Sequence, residues 1–336
     1  MNRGGGRSSR TYDESDVRVR PGRGSRPRSK VRPTHVDAVP GVVVAVDRGR
    51  YTCVSGAAEQ VVTAMRAREL GRKSVVVGDR VGIVGDVSGR EGSLARIVRV
   101  EKRMTVLRRT ADDDDPVERV VVANADQMVI VTALAEPEPR PRLVDRCLVA
   151  AFDAGLAPLL CLTKTDLADP SALLATYAPL GVPAVVSGLD EDLSPLRERL
   201  ADRWSVLVGH SGVGKSTLVN VLVPGAERAT GHVNVVTGRG RHTSASAVAL
   251  RLPEGGWVID TPGIRSFGLA HVDPRQLVHA FPDLDAETAD CPRGCTHGAS
   301  EPECALDDAV ADGRLDRARV DSFRRLLASR NRQAGD

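Results

Sequence analysis

The chain's most specific chemistry lies in Gly209-His210-Ser211-Gly212-Val213-Gly214-Lys215-Ser216-Thr217. An apolar run, Ser205-Val206-Leu207-Val208, precedes it, and Leu218-Val219-Asn220-Val221-Leu222, which reads as helix, follows. Strand, glycine-rich turn and helix with the pattern G-x-x-x-x-G-K-[ST] make a phosphate cradle. Successive backbone N–H groups converge on phosphate oxygens, and the helix N-terminus adds positive dipole. Lys215 in this setting reaches the β- and γ-phosphates, and the Ser216 hydroxyl ligates Mg²⁺. The stretch predicts nucleotide binding.

Two further segments name the base and the switch. Thr163-Lys164-Thr165-Asp166 stands directly after an apolar run that ends at Leu162. A carboxylate at Asp166 accepts two hydrogen bonds from guanine N1–H and the 2-amino group, whereas adenine leaves that acid unpaired. The Lys164 stem can lie over the purine face. Ser187-Gly188, after the next apolar run, can offer backbone N–H groups to guanine O6. Downstream, Trp257-Val258-Ile259-Asp260-Thr261-Pro262-Gly263 is a strand ending in D-x-x-G. Asp260 is expected to hold Mg²⁺ through water and the Gly263 N–H to sense the γ-phosphate. Between cradle and D-x-x-G, Gly238-Arg239-Gly240-Arg241-His242-Thr243 reads as a mobile segment. Its Thr243 supplies a second Mg²⁺ oxygen once GTP orders it.

The third chemistry is metal binding. Cys291, Cys295, His297 and Cys304 offer three thiolates and one imidazole, a closed tetrahedral set of the structural Zn²⁺ type. Cys53, Cys147 and Cys161 are scattered and read as small buried hydrophobes.

The elements that must position these groups alternate. Apolar runs at Gln127–Thr132, Pro158–Leu162, Pro183–Val186 and Ser205–Val208 read as strands, with helices expected over Arg142–Phe152, Ser171–Tyr177 and Asp192–Ala201. Strands at Ala247–Leu252 and Trp257–Ile259 complete a mainly parallel α/β sheet. In an ordinary GTPase the base-reading elements follow the phosphate loop; here they precede it, an order that permutation of the chain permits. Upstream, short β-type runs at Val42–Val46, Tyr51–Val54, Val61–Ala64, Arg80–Val84 and Leu94–Val98 suggest a small barrel, with the OB-fold as the favoured version. Tyr51 is the barrel region's sole aromatic, so RNA contact there falls to Arg and Lys; a purely structural barrel fits these residues equally well.

The totals agree with a protein of several domains: 336 residues, 41% hydrophobic and only 3% aromatic, so Val, Leu and Ala must fill the core. The net charge of +3 hides a basic arm. Residues 1–37 carry nine Arg and Lys30 against Asp13, Glu14, Asp16 and Asp37, a composition that predicts disorder and suits a polyanion. The expected organisation is arm 1–37, barrel 38–110, acidic linker 111–119 around Asp112–Asp115, α/β domain 120–270 and a metal-binding helical domain 271–336. No secretory signal or membrane span is read, and a cytoplasmic monomer is expected. Near the C-terminus, Leu315, Phe323, Leu326 and Leu327 line one helix face. Arg314, Arg317, Arg319, Arg324, Arg325, Arg330 and Arg332 are read as a basic surface for rRNA, opposed by Asp316 and Asp321.

The permuted order, the N-terminal barrel and the C-terminal Cys/His cluster together resemble the small-ribosomal-subunit-dependent, circularly permuted GTPases (RsgA/YjeQ) over roughly residues 38–330. The resemblance rests on Ala123-Asn124-Ala125-Asp126-Gln127, Asp145-Arg146, Thr163–Asp166, Gly209–Thr217, Gly240–Thr243, Asp260–Gly263 and the metal cluster. It implies a GTP hydrolase that binds the small (30S) subunit and its 16S-type rRNA late in maturation, then leaves after hydrolysis. It also implies that His242 positions the attacking water.

Two features depart from the family pattern. Thr163 replaces the usual Asn of N-K-x-D, and the cluster is spaced C-x3-C-x-H-x6-C rather than C-x4-C-x-H-x5-C. Ile264 follows Gly263 where many GTPases carry a water-orienting Gln, so unassisted hydrolysis is expected to be no faster than roughly 10⁻⁴ s⁻¹. Three rival readings are a P-loop switch acting on another RNA or ribonucleoprotein, an RNA-binding module with a vestigial GTPase, and an ATP-using enzyme.

Overall fold

The computed structural model describes residues 35–56, 59–70, 75–110, 118–188, 192–226, 247–261, 267, 269 and 272–330. Residues 1–34 of the basic arm, Asp112–Asp115, His242, Thr243, Gly263, Ile264 and Arg332 therefore lie outside the described residues.

β1 (Val39–Asp47), β2 (Arg50–Ser55), β3 (Gln60–Arg66), β4 (Arg80–Gly85) and β5 (Ala95–Val100) pair in the order β1-β2-β3-β5-β4, and β4 returns to β1. Pairing is antiparallel except between β3 and β5. Alternation drives closure: Tyr51, Cys53 and Ser55 of β2 turn inward between outer neighbours, and Val43, Val62, Ile83 and Ile97 complete the interior. Tyr51 is thus spent on the barrel core and presents no stacking face. Beneath the barrel, Arg103 grips the fully buried Asp79 with two bonds of 2.7 and 2.8 Å.

β6 (Val106–Thr110) and β7 (Glu118–Ala123) form a separate antiparallel hairpin. The linker expected at 111–119 overlaps β7 at Glu118 and Arg119, which pair with Thr110 and Arg109 of β6, and Leu107 and Val122 are buried. The Ala123–Gln127 stretch turns out to be wiring. Asn124, at φ 53°, donates from Nδ2 to Gly78 O at 2.8 Å, and its Oδ1 accepts from Met104 N at 2.8 Å. Asp126 accepts from Trp204 N at 2.7 Å, and Gln127 donates to Arg199 O and Ser205 Oγ. Gly78 is obligatory there, because a Cβ would fall 1.8 Å from Ala123 O.

The α/β part runs β8 (Gln127–Ala133), α1 (Pro141–Asp153), β9 (Ala157–Thr163), α2 (Ser171–Tyr177), β10 (Ala184–Ser187), α3 (Ser194–Leu200), β11 (Trp204–Val208), α4 (Lys215–Leu222), β12 (Val248–Arg251) and β13 (Trp257–Asp260). Its sheet order is β10-β9-β8-β11-β13-β12, parallel except for β12. Every residue of β8 is buried, as a central parallel strand covered on both faces requires. Alternate residues separate the two cores. Val129, Val131, Leu207 and Val258 face α3 and α4, while Met128, Ile130, Val206 and Ile259 share a core with α1. The barrel continues this sheet, since Ala45 of β1 pairs antiparallel with Val248 of β12.

C-terminal helices α5 (Pro274–Leu277), α6 (Pro282–Ala286), α7 (Ala305–Ala311) and α8 (Arg317–Arg330) have no separate interior. Val320, Phe323, Leu326 and Leu327 of α8 join the α1 core, and Phe281 bridges Phe152 and Phe323 at ring distances of 4.8 and 5.3 Å. The expected basic face of α8 is largely consumed inside the chain. Arg319 is bidentate to Asp283, Arg324 to Asp307, and Arg325 meets Asp145; Arg314, ahead of the helix, meets Glu287. Among the described residues no helix is long and apolar enough to cross a membrane.

Candidate functional site

β11 lies between β8 and β13, so its C-terminal end opens at the middle of the parallel sheet, where α/β folds bind ligands. The chain leaves it at Gly209, whose φ of 151° and closeness to Val131 exclude any side chain: a Cβ would sit 2.2 Å from Val131 O. The turn closes at Gly214, the N-cap of α4, with φ 95°. Ser211, Ser216 and Thr217 are exposed around this helix start, with Gly212 and His210 on the turn before it. Lys215 lays its ammonium across the turn, donating to Gly209 O at 2.6 Å and His210 O at 2.8 Å.

The Thr163–Asp166 loop meets this turn directly. Thr163, at the end of β9, is buried, and its hydroxyl lies 2.7 Å from Val213 O and 3.3 Å from Thr132 O. β10 runs parallel beside it with Ser187 opposite Thr163. Thr163, Lys164, Ser187, Gly188, Leu193, Gly214, Thr217, Leu218 and Val221 line one open pocket of about 510 Å³, mouth included. Lys164 stands at φ 59°, and a turn bonds Leu167 N to Lys164 O. Thr165 and Asp166 ride on that turn, Asp166 exposed. The Lys164 ammonium is bonded to Glu136 O.

On the other flank, Asp260 ends β13 opposite Leu207 of β11. Burial pushes its carboxyl above the ordinary carboxylate value, and the Lys215 ammonium draws it back. Lys215 responds in mirror image, lowered by burial and raised by Asp260. Thr261 fixes the strand end by donating to Leu207 O at 2.8 Å. Sequence reasoning placed Thr261 in the D-x-x-G stretch but gave it no role, since its buried hydroxyl leaves no periodic signal. The predicted residues His242, Thr243 and Gly263 fall outside the described residues.

The metal-type cluster is assembled. Ligand atoms of Cys291, Cys295, His297 and Cys304 all lie within 4.8 Å of one another. His297, in left-handed backbone at φ 58°, brings Nδ1 to 3.6, 3.6 and 3.9 Å from the three sulfurs. Arg324 holds the His297 carbonyl at 3.2 Å, which ties the cluster to α8. Such a donor set can hold a metal ion. The isolated Cys53, Cys147 and Cys161 are buried, which pushes their thiols up to about 12.

Comparison with known proteins places this geometry among relatives. A model of the RsgA GTPase family matches residues 100–270. A "Small ribosomal subunit biogenesis GTPase RsgA" of Chlorobaculum parvum is 38% identical over 307 residues, covering 87% of this chain and 98% of the relative. One of the same description from Ectopseudomonas mendocina is 45% identical over 218 residues, 62% of this chain and 63% of the relative. Among solved structures, YjeQ from Thermotoga maritima superposes with a TM-score of 0.66 at 26% identity, covering 88% of this chain and 99% of its own.

Proposed function

This chain belongs to the RsgA GTPase family and is a GTP-hydrolysing enzyme of small ribosomal subunit biogenesis, and from that premise we propose how its residues divide the work. The observation that carries the proposal is the Thr163–Val213 bond, which joins the base-reading loop to the phosphate loop around one pocket. Asp166 reads guanine, Lys164 covers the purine, and Ser187-Gly188 meets O6. Gly209–Thr217 wraps the phosphates, with Lys215 exchanging its two loop carbonyls for β- and γ-oxygens. Ser216, Asp260 and Thr243 would hold Mg²⁺, which would neutralise charge on the phosphates when bound. Gly263 senses the γ-phosphate, and His242 positions the attacking water in place of the side chain that Ile264 cannot provide.

The Cys/His cluster takes one structural zinc ion. Tetrahedral Zn–S and Zn–N bonds set nitrogen and sulfur about 3.6 Å apart, and the three observed separations of 3.6, 3.6 and 3.9 Å suit that geometry.

The protein acts as a monomer in the cytoplasm, away from membranes. It binds the small subunit through 16S-type rRNA late in maturation and leaves after hydrolysis. Since Arg319, Arg324 and Arg325 of α8 are engaged internally, phosphate contacts fall mainly to the arm 1–37 and to exposed residues such as Arg50, Arg80, Arg96 and Arg317.

The test is GTP turnover with and without purified small subunits. Turnover that rises steeply with subunits, and capture of subunits with a non-hydrolysable GTP analogue but not with GDP, is the expected result. Turnover indifferent to subunits would overturn the assignment of the partner.

A further inference from the structure

Asp145 and Arg146 are neighbours in α1, and each reaches the C-terminal helix by its own route. Asp145 is 3% exposed and meets Arg325 of α8 at 3.3 Å. Arg325 also donates to Thr176 O and lies over the Tyr177 ring. Arg146, 8% exposed, donates to Phe267 O at 2.6 Å and to Ser329 O at 3.4 Å. Phe267 lies just beyond the D-T-P-G stretch. Ser329 lies in the last turn of α8, where carbonyls lack intrahelical partners and the dipole is negative.

Withdrawing a guanidinium from water is costly, and an unbranched apolar side chain would fill much of the same space. What the guanidinium adds is a rigid fork able to hold carbonyls from two segments at once. One belongs to the exit of the nucleotide-sensing strand, the other to the helix that carries the Cys/His cluster through Arg324. Before residues 262–266 the chain is pinned to the phosphate-loop strand by Thr261; after them it is pinned to α1 by Arg146.

We propose that Arg146 is a positioning residue that fixes the exit of D-T-P-G and the end of α8 against α1 together, so that the state of the nucleotide and the docking of α8 are energetically coupled. The proposal rests on the GTPase reading above. Coupling of this kind is reciprocal: the triphosphate alters α8, and loosening α8 alters the preference for GTP over GDP.

The experiment uses the full chain as wild type, Arg146→Met, Arg146→Lys and Arg325→Gln. It measures the affinity ratio of a non-hydrolysable GTP analogue to GDP and the hydrogen exchange of α8 amides in each nucleotide state. Thermal melting and metal content report integrity. In wild type, α8 exchange is expected to differ between the two nucleotides. Arg146→Met should erase that difference and move the affinity ratio by about fivefold or more. Arg146→Lys, a point charge able to keep one carbonyl, should recover part of it. Arg325→Gln should move the ratio the same way, and it decides the matter if Arg146→Met fails to fold. An unmoved ratio in a folded variant, or equal weakening of both nucleotides, overturns the coupling. Loss of all guanine-nucleotide binding in wild type would instead sink the GTPase reading, and this proposal with it.

Discussion

The hydroxyl of Thr163 lies 2.7 Å from the main-chain oxygen of Val213, so the Thr163–Asp166 loop and the Gly209–Thr217 loop form one hydrogen-bonded unit. The two come from segments far apart in the chain and in permuted order. The bond therefore does locally what the altered connectivity cannot.

Thr163→Val removes the donor, keeps the β-branched shape and leaves a buried carbonyl unpaired. A loss of about 1–3 kcal/mol is expected, or roughly 5- to 150-fold in affinity. It should fall on GTP and GDP alike, because the bond touches neither the γ-phosphate nor its sensor. Equilibrium binding of fluorescent analogues checks this; weakening confined to GTP would refute the tether.

Asp166→Asn exchanges an acceptor pair for an amide. GTP affinity should fall by roughly 10- to 100-fold, the scale of hydrogen bonds to a charged group, while xanthosine triphosphate should gain. Competition binding reads both, and an unchanged order of preference would take Asp166 out of base recognition.

Asp260 gives the nucleotide site a sign for its pH dependence. Burial raises its folded carboxyl above the ordinary value, so the fold is relieved of a buried charge as pH falls through that raised value. In the proposed role of Asp260 as a Mg²⁺ ligand the carboxylate form is required, so Mg²⁺-dependent GTP binding should weaken over the same acidic interval. Titrations of Mg²⁺ against a fluorescent GTP analogue across mildly acidic pH test this. In Asp260→Asn the pH dependence should disappear together with most of the Mg²⁺ requirement.

His242→Ala should keep GTP affinity and lose at least roughly tenfold of the subunit-stimulated rate, if this side chain positions water as proposed. Single-turnover hydrolysis with saturating subunits is the measurement. Full stimulation in the variant would transfer the role to another group.

Removing the metal, by chelation or by Cys304→Ser, should lower the melting temperature and loosen α7 and α8, because Cys304 abuts α7 and Arg324 joins the cluster to α8. Mass spectrometry of the native protein counts the ion, and amide exchange locates the loosening. A melt unaffected by metal loss would deny the site a structural role.

Much of this fold was legible because its strands obey simple periods. The short β-type runs of the barrel and the apolar runs of the α/β part were legible as strands, and their burial, alternate in β2 and complete in β8, follows from the sheets that hold them. The phosphate loop was legible through its glycines, and the cluster through its thiols. Three things were not. The β6–β7 hairpin was hidden by the charge of the residues between its strands. Asn124, Asp126 and Gln127 look like a motif for chemistry, yet their side chains are spent on main-chain partners and one buried hydroxyl that only the tertiary fold supplies. The arginines of α8 read as a solvent-facing charge stripe because their acidic partners lie as far back as Asp145 and Asp283.

The single pairing of Ala45 with Val248 makes the barrel the neighbour of β12 at the start of its outer border. A fragment trimmed to begin at the GTPase core would bare that border, with its amides and carbonyls unclaimed, and unclaimed strand borders recruit one another. Such fragments should associate as concentration rises while the full chain stays dispersed, a difference visible in light scattering.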